Sequence, residues 1–501
     1  MLSVIKSQVL LASTLWLIAC ASIEPQRDRP AELALTPASS AIWAGLGNHD
    51  RHDNLVPLNV GAQALLWRLR AMRSATTSID LQTFIWKDDS VGLALAREIV
   101  AAAERGVRVR ILLDDSFLIH ADDALKALAN HANISYRIYN PAAHRADNLI
   151  MRELENINDL SRINHRMHNK LLVVDGRIAI LGGRNQAEEY FGYESTQNFR
   201  DFELVVVGPI LPSLSEVFDL YWNNPWSLPI EDLVDATEGQ DFSSIQSWLK
   251  DNAIAHHQLG DPTAQDWSGL FANAYVADLE LVVDTPPDVA PELDAPTQLA
   301  EALLQRIDAV EHDLILISAY FIPTKELTSA LERAIRRGVR VRVLTNSLGS
   351  NNHVSAHAAY TAHRKALLSS GVELYEVRAD AASRAHYVDS SVVQSLFGLH
   401  EKGAIFDDCC LFVGSANLDP RSLRLNTEIG LLIQSSALNH RVRALLALDL
   451  LPENAWQVEL DPEGEIEWTG KDGTQSHTPP ASFFMRAESW FFGLLPIEEQ
   501  M

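Results

Sequence analysis

At 501 residues the chain exceeds one ordinary domain, so two or three units or one large duplicated body are expected. Hydrophobic residues make up 47% and charged residues 21%, with no low-complexity tract, which excludes a disordered or fibrous protein. A formal net charge of −25 repels polyanions and gives no basic footprint for counterion release, so nucleic acid is not an expected partner and nonspecific nuclease activity is disfavoured.

Met1 to Ala19 has a short polar start with Lys6 and an apolar run from Val9 to Ile18, followed by small residues around Cys20. That run is well short of the roughly 20 residues a spanning helix needs, so 1–19 is expected to be a cleaved export signal. Leu17-Ile18-Ala19-Cys20 resembles the lipobox at which bacterial lipoproteins are cleaved and acylated on cysteine. The resemblance implies lipidation at Cys20 and, with Ala21 following, the periplasmic face of the outer membrane in a cell with two membranes. So acidic a body cannot adhere to an anionic bilayer by charge, whereas acyl chains can hold it there.

Residues 20–60, with Pro25, Pro30, Pro37, Gly45 and Gly47 and no periodicity, suit a lipidated tether. Beyond it the pattern changes. Ala62 to Met72 has helical spacing, Ser78 to Trp86 fits a strand, Gly92 to Arg105 an Ala-rich helix, and Val107 to Leu113 a strand, so the class is α/β. The stretch 225–275, rich in Pro and Gly, divides a first half at 61–224 from a second at 276–451; a tail follows at 452–501. The tail's aromatic segment, Phe483 to Leu495, suits either an interfacial helix or one docked on the body. Cys409 and Cys410, as neighbours on a strand, would point to opposite faces and are expected as two buried small hydrophobes without a bridge.

An internal repeat decides the architecture. Ala103-Glu104-Arg105-Gly106-Val107-Arg108-Val109-Arg110 is echoed by Ile335-Arg336-Arg337-Gly338-Val339-Arg340-Val341-Arg342 at an offset of 232 positions. His168 and His400, Lys170 and Lys402, Asp175 and Asp407, Gly182 and Gly414, and Asn185 and Asn417 keep that same offset of 232. The repeat is too long for a solenoid and predicts a pseudo-twofold pair of domains with a site where they meet.

Both copies fit H-x-K-x(4)-D-x(6)-G-[GS]-x-N, and on a strand the single residue between His and Lys puts both side chains on one face. Such a pair suits phosphodiester chemistry: a neutral imidazole attacks phosphorus while a protonated one gives its proton to the leaving alcohol. Two lysines with Asn185, Asn417 and Ser415 can hold the phosphate oxygens, so no metal or nucleotide cofactor is implied. Small residues at Gly182, Gly183, Gly414 and Ser415 would let backbone approach the phosphate. Each histidine also needs a carboxylate to fix its tautomer, for which Asp201 and Glu428 are the candidates. His144, His165 and His353 are expected to be ordinary polar residues.

These paired motifs resemble the phospholipase D superfamily. Ser78-Ile79-Asp80-Leu81-Gln82-Thr83-Phe84-Ile85-Trp86, Asn164-His165-Arg166-Met167-His168, Asp419-Pro420-Arg421-Ser422 and Asn426-Thr427-Glu428 resemble its cardiolipin synthase branch. The resemblance implies a duplicated fold of two α-β-α sandwich halves sharing one active site, with His168, Lys170, Asp175, His400, Lys402 and Asp407 as the catalytic set. It further implies a phosphohistidine intermediate, with His168 the nucleophile and His400 the general acid or the reverse, and mainly structural roles for both aspartates. Ser355-Ala356-His357 resembles a stretch near the family's substrate pocket. Phosphatidyl transfer between glycerophospholipids at a membrane surface is the implied activity; hydrolysis by a phospholipase D, or another phosphodiesterase or nuclease activity, is the alternative.

Overall fold

The computed structural model describes residues 23–37, 41–46, 51–118, 121–146, 148–235, 241–252, 267–287, 295–475, 477–479 and 481–492. The export signal and Cys20 lie outside the described residues, as do Gly493 to Met501 of the tail.

The repeated octapeptide is a helix end running into a strand. In the first half, Asp89 accepts from the Val91 and Gly92 N–H groups and caps helix Ser90–Glu104, and Gly106 takes φ +90° to turn the chain into a strand. In the second, Thr324 caps helix Lys325–Arg336 and Gly338 takes φ +89°. Even the exit arginine repeats its contacts, since Arg105 donates to the Met72 and Arg73 carbonyls and Arg337 to those of Ile307 and Val310.

The first-half strands are β1 (Asp53–Leu58), β2 (Ser78–Thr83), β3 (Arg108–Asp114), β4 (Ile134–Tyr139), β5 (Leu171–Val174), β6 (Ile178–Gly182), β7 (Gln197–Arg200), β8 (Glu203–Val207) and β9 (Ser227–Pro229). The second half supplies β10 (Tyr275–Val283), β11 (Asp313–Ser318), β12 (Arg340–Asn346), β13 (Glu373–Val377), β14 (Leu396–Leu399), β15 (Lys402–Phe406), β16 (Cys410–Gly414), β17 (Ile429–Gln434), β18 (Ala455–Leu460), β19 (Ile466–Gly470) and β20 (Gly473–Gln475). Helical crossovers make β2, β3 and β4 parallel, and likewise β11, β12 and β13, while the motif hairpins β5–β6 and β15–β16 are antiparallel. The fold is therefore α/β and duplicated. Hydrophobic cores lie within each half, and a third, holding Phe202, Leu204, Tyr221, Ile315, Phe397 and Leu431, joins the two.

The segment expected to be a tether is docked instead. Ala34 N donates to Asp219 Oδ2 at 2.7 Å, Glu32 pairs with Arg137, and the buried Trp43 indole donates to Asp175 Oδ2 at 2.8 Å. From Asp53 the chain becomes β1, which pairs antiparallel with β8 on one side and β10 on the other, making one sheet continuous through both halves. Backbone N–H and C=O groups in this position must be paired, and that requirement outweighs the local lack of pattern. The stretch 225–275 likewise adds to the first half, giving edge strand β9 beside β4 and a Trp267 that packs on Trp43 and Trp67.

In the tail, β18 extends the second-half sheet beside β13, and helix Phe483–Phe492 packs on helix Val354–Ser370. It keeps Phe484, Trp490 and Phe491 exposed, so it both docks and presents an aromatic face. Cys409 and Cys410 correct an expectation: only Cys410 begins a strand, Cys409 lies in the preceding turn, and both are half-buried. Among the described residues no helix is long and apolar enough to cross a membrane.

The motif aspartates lie at the far ends of their strands from the histidines. Asp175, at φ +53° in the β5–β6 turn, accepts from the Thr76, Thr77 and Ser78 N–H groups, each at 2.8 Å. Asp407, at φ +46°, does the same for Glu311, His312 and Asp313. Burial alone would raise the Asp175 carboxyl, yet these bonds hold it below the usual range. Within the motif set they therefore hold turns away from the imidazoles, in keeping with the structural role the resemblance implies. Asp175→Ala strands three backbone donors and the Trp43 indole, so we expect a loss of about 2–4 kcal/mol of stability by denaturant titration. Turnover per folded molecule should be retained.

Candidate active site

Two short parallel pairings between the halves build the site. β7 and β14 run side by side with Arg200 opposite Leu399, so the next residues, Asp201 and His400, emerge together. His400 N donates to Arg200 O at 2.8 Å, and His400 Nδ1 lies 2.6 Å from Asp201 Oδ2. On the other side Met167 bridges Thr427, again in parallel, and the residues after them are His168 and Glu428. His168 N donates to Thr427 O at 2.9 Å, and His168 Nδ1 lies 3.0 and 2.9 Å from the two Glu428 oxygens. Each histidine thus takes its carboxylate from the opposite half. The Nδ1–H donated to a carboxylate leaves Nε2 as the reactive nitrogen.

His168-Asn169-Lys170 is extended backbone just ahead of β5 rather than part of it, whereas Lys402 opens β15. Both lysines bend back to their own motif, Lys170 Nζ donating to His168 O at 2.6 Å and Lys402 Nζ to His400 O. Aromatic rings wall the imidazoles: Phe84 meets His168 edge-on at 4.8 Å, and Tyr190 meets His400 in the same way at 4.8 Å.

Burial sets the protonation states. It lowers His168 to about 4 against the opposing pull of Glu428, and takes His400 well below the ordinary histidine value. Lys402 is lowered to about 8 and Lys170 well below its usual range, again chiefly by burial. Burial would raise Glu428, but the hydrogen bond from His168, the charge of Lys170 and the hydroxyl of Ser415 hold it low; Asp201 is raised by its burial. Burial therefore favours neutral imidazoles and weakly held lysine protons. The charge of a bound phosphodiester would favour the protonated lysines and a protonated imidazole.

Of the small residues of the motif, Gly183 and Ser415 lie against the site's carboxylates, and Gly182 and Gly414 against neighbouring backbone. A Cβ on Gly183 would sit 2.2 Å from Asp201 Oδ1, and one on Gly414 2.5 Å from Ile429 O. Ser415 is fully buried, donates its hydroxyl to Glu428 and accepts from Ile429 N, so it holds the carboxylate in place. The Asn185 side-chain oxygen accepts from Ile85 N at 3.3 Å, while that of Asn417 is buried with no partner among the described residues.

Several residues at the site escaped the sequence reading. Arg184 donates to Asp201 O at 2.6 Å and pairs with Glu203, fixing one acid from behind. Asp284 accepts from Glu428 N at 3.0 Å behind the other, and burial pushes it up to about 7. His353, close enough to feel the Lys402 charge, and Asp419, which burial raises to about 6, lie beside the same lysine. Nothing in their spacing distinguishes them. His357, by contrast, is buried against Tyr360 with Arg364 3.0 Å from its Nε2, and His165 contacts Ser161 O; neither joins the paired histidines.

Two stretches of the chain, 69–207 and 303–449, match the family described as "Cardiolipin synthase, PLD-like domain". The chain belongs to this phospholipase D-like family. It is 33% identical over 472 residues to cardiolipin synthase C of Escherichia coli K12, covering 92% of this chain and 98% of that one. To cardiolipin synthase B of the same strain it is 27% identical over 398 residues, 77% and 80% of the two chains. The crystal structure of phosphatidylserine synthase from Haemophilus influenzae Rd KW20 shares the fold, with a TM-score of 0.58 at 13% identity over 92% of this chain and all of that one.

The crossed pairing predicts the behaviour of the acids. Asp201→Asn and Glu428→Gln should each lower turnover by about 10- to 100-fold, the usual effect of removing a partner that orients an imidazole. A single-turnover assay checks this, and a loss confined to one of the two variants would show that only one histidine depends on its partner.

Proposed function

We propose that the protein is a phosphatidyltransferase that moves a phosphatidyl group from one glycerophospholipid to the hydroxyl of a second through a phosphohistidine. The observation that carries this reading is the reciprocal pair of histidine–carboxylate contacts with two buried lysines beside them. Membership of the cardiolipin synthase family supports the substrate class.

In this mechanism His168 Nε2 attacks phosphorus and the P–O bond to the first alcohol breaks, its oxygen taking a proton from His400. The acceptor hydroxyl then gives its proton to His400 and displaces His168, restoring both imidazoles. This order is the one the family resemblance implies; Glu428 and Asp201 each orient their imidazole at Nδ1 and leave Nε2 free to act. Lys170, Lys402, Asn185 and Asn417 would stabilise the charge that builds on the phosphate oxygens.

The test is to incubate the protein with labelled phosphatidylglycerol, with and without phosphatidylethanolamine, and identify products by mass. Transfer yields a two-phosphate lipid; phosphatidic acid alone would make the protein a hydrolase. His168→Ala and His400→Ala should each leave less than a few per cent of turnover on an ordinary alcohol leaving group. With an activated leaving group such as nitrophenol, His400→Ala should still form the covalent adduct and His168→Ala should not; the opposite pattern reverses the two roles.

We further propose that acylation at Cys20 attaches the protein to the outer membrane. The exposed Phe484, Trp490 and Phe491 suit a second, weaker contact with lipid. Cys20→Ala should shift most of the protein into the soluble fraction on cell fractionation. If it stays fully membrane-bound, the lipobox reading is wrong.

A further inference from the structure

The segment between β4 and His168 has its polarity turned inside out. It forms helix Leu149–Glu155, a single turn Ile157–Asp159 and a short helix Leu160–Ile163. Arg152, only 6% exposed, donates to the Ala146 and Leu118 carbonyls, and Asn156, 4% exposed, bonds to His144 and Arg152. Outward instead point Met151, Leu154, Ile157 and Leu160, at 48%, 56%, 58% and 40% exposure. A helical segment facing water has the reverse arrangement. Exposed apolar side chains scattered singly are ordinary, but one at every third position makes a continuous surface.

This surface adjoins the active site. Arg152 fastens the segment to the turn Asp115–Phe117 and its neighbour Leu118. Phe117, itself 44% exposed, packs edge-on against Phe84 at 5.4 Å, and Phe84 packs on His168 at 4.8 Å. Apolar contacts therefore lead inward from the exposed Phe117, to which Arg152 ties the segment, to an imidazole. At the other end Arg421 of the second half binds Asn164 at 2.9 Å, so the segment is anchored to both halves.

We propose that residues 149–163 are the face by which the protein seats on the apolar region of a lipid bilayer, delivering phospholipid past Phe117 and Phe84 to the histidines. The proposal rests on the phospholipid reading above. The occupant is a bilayer rather than an acidic or basic partner because Met151, Leu154, Ile157 and Leu160 carry no charge and Asp159 beside them is paired with Arg162, and because a net charge of −25 gives no attraction to an anionic surface. Zwitterionic lipid should therefore suffice.

The experiment is hydrogen exchange of the full chain with and without phosphatidylcholine vesicles, read at residues 148–163. Exchange there should slow on adding vesicles. Leu154→Ser with Ile157→Ser should abolish that protection and lower turnover on vesicles by on the order of tenfold per side chain. Turnover on a monomeric short-chain phospholipid should be unchanged. Leu154→Phe with Ile157→Phe, which keeps the face apolar, should retain protection and so separates lost contact from lost folding. Exchange indifferent to vesicles overturns the proposal, as does protection that appears without vesicles and rises with protein concentration, since a second copy would then be the occupant. Vesicle protection without turnover of any phospholipid would uphold the surface and fail the transferase reading alone.

Discussion

The structure turns on the exchange of carboxylates between halves: His168 is oriented by Glu428, and His400 by Asp201. Neither half contains a complete histidine–acid pair, so a separated half would hold an imidazole with no orienting partner. The exchange follows from backbone pairing. A parallel contact of Met167 with Thr427, and of β7 with β14, brings the next residue of each chain into apposition. β1 reinforces it by running one sheet through both halves, and the shared core keeps water from the junction. Oriented dipoles and charges in so dry a place act much more strongly than they would in water.

Burying two lysines and two histidines together is costly unless anions accompany them. Glu428 and Asp201 compensate in part, and the remainder appears as lowered lysine and imidazole proton affinities. A phosphodiester is the anion such a site lacks. Its charge would favour the protonated lysines and one protonated imidazole at the moment they are needed.

The halves are not equivalent behind the acids. The motif keeps an offset of 232 residues, but Asp201 and Glu428 are separated by 227, so the acid of the second half follows its motif more closely. Arg184 grips the backbone of Asp201, while its counterpart Ala416 can grip nothing; Ser415 and the raised carboxyl of Asp284 support Glu428 instead. A duplicated scaffold has thus acquired two different environments, as the proposed division of duties between the histidines would require.

The sequence by itself determined the duplication, the α/β class and the identity of the paired histidines, lysines and acids, because a fixed offset and an unbroken motif survive without any coordinates. The repeated glycines Gly106 and Gly338 owe their place to a local requirement, a helix end needing positive φ. Which acid serves which histidine was not legible, since Asp201 and Glu428 follow their own motifs in the chain and meet the other half's histidine only through inter-half pairing. The same holds for Ser415 and Gly183, whose residue types fit a phosphate site but which lie against a carboxylate. The docked stretch from 23 to 37 and the strand at Asp53–Leu58 carry no periodic signal, because their partners are distant backbone and side-chain groups rather than an amphipathic face of their own. Periodicity reports burial along one element; only the tertiary structure decides which elements meet, and in this protein the chemistry lies where they do.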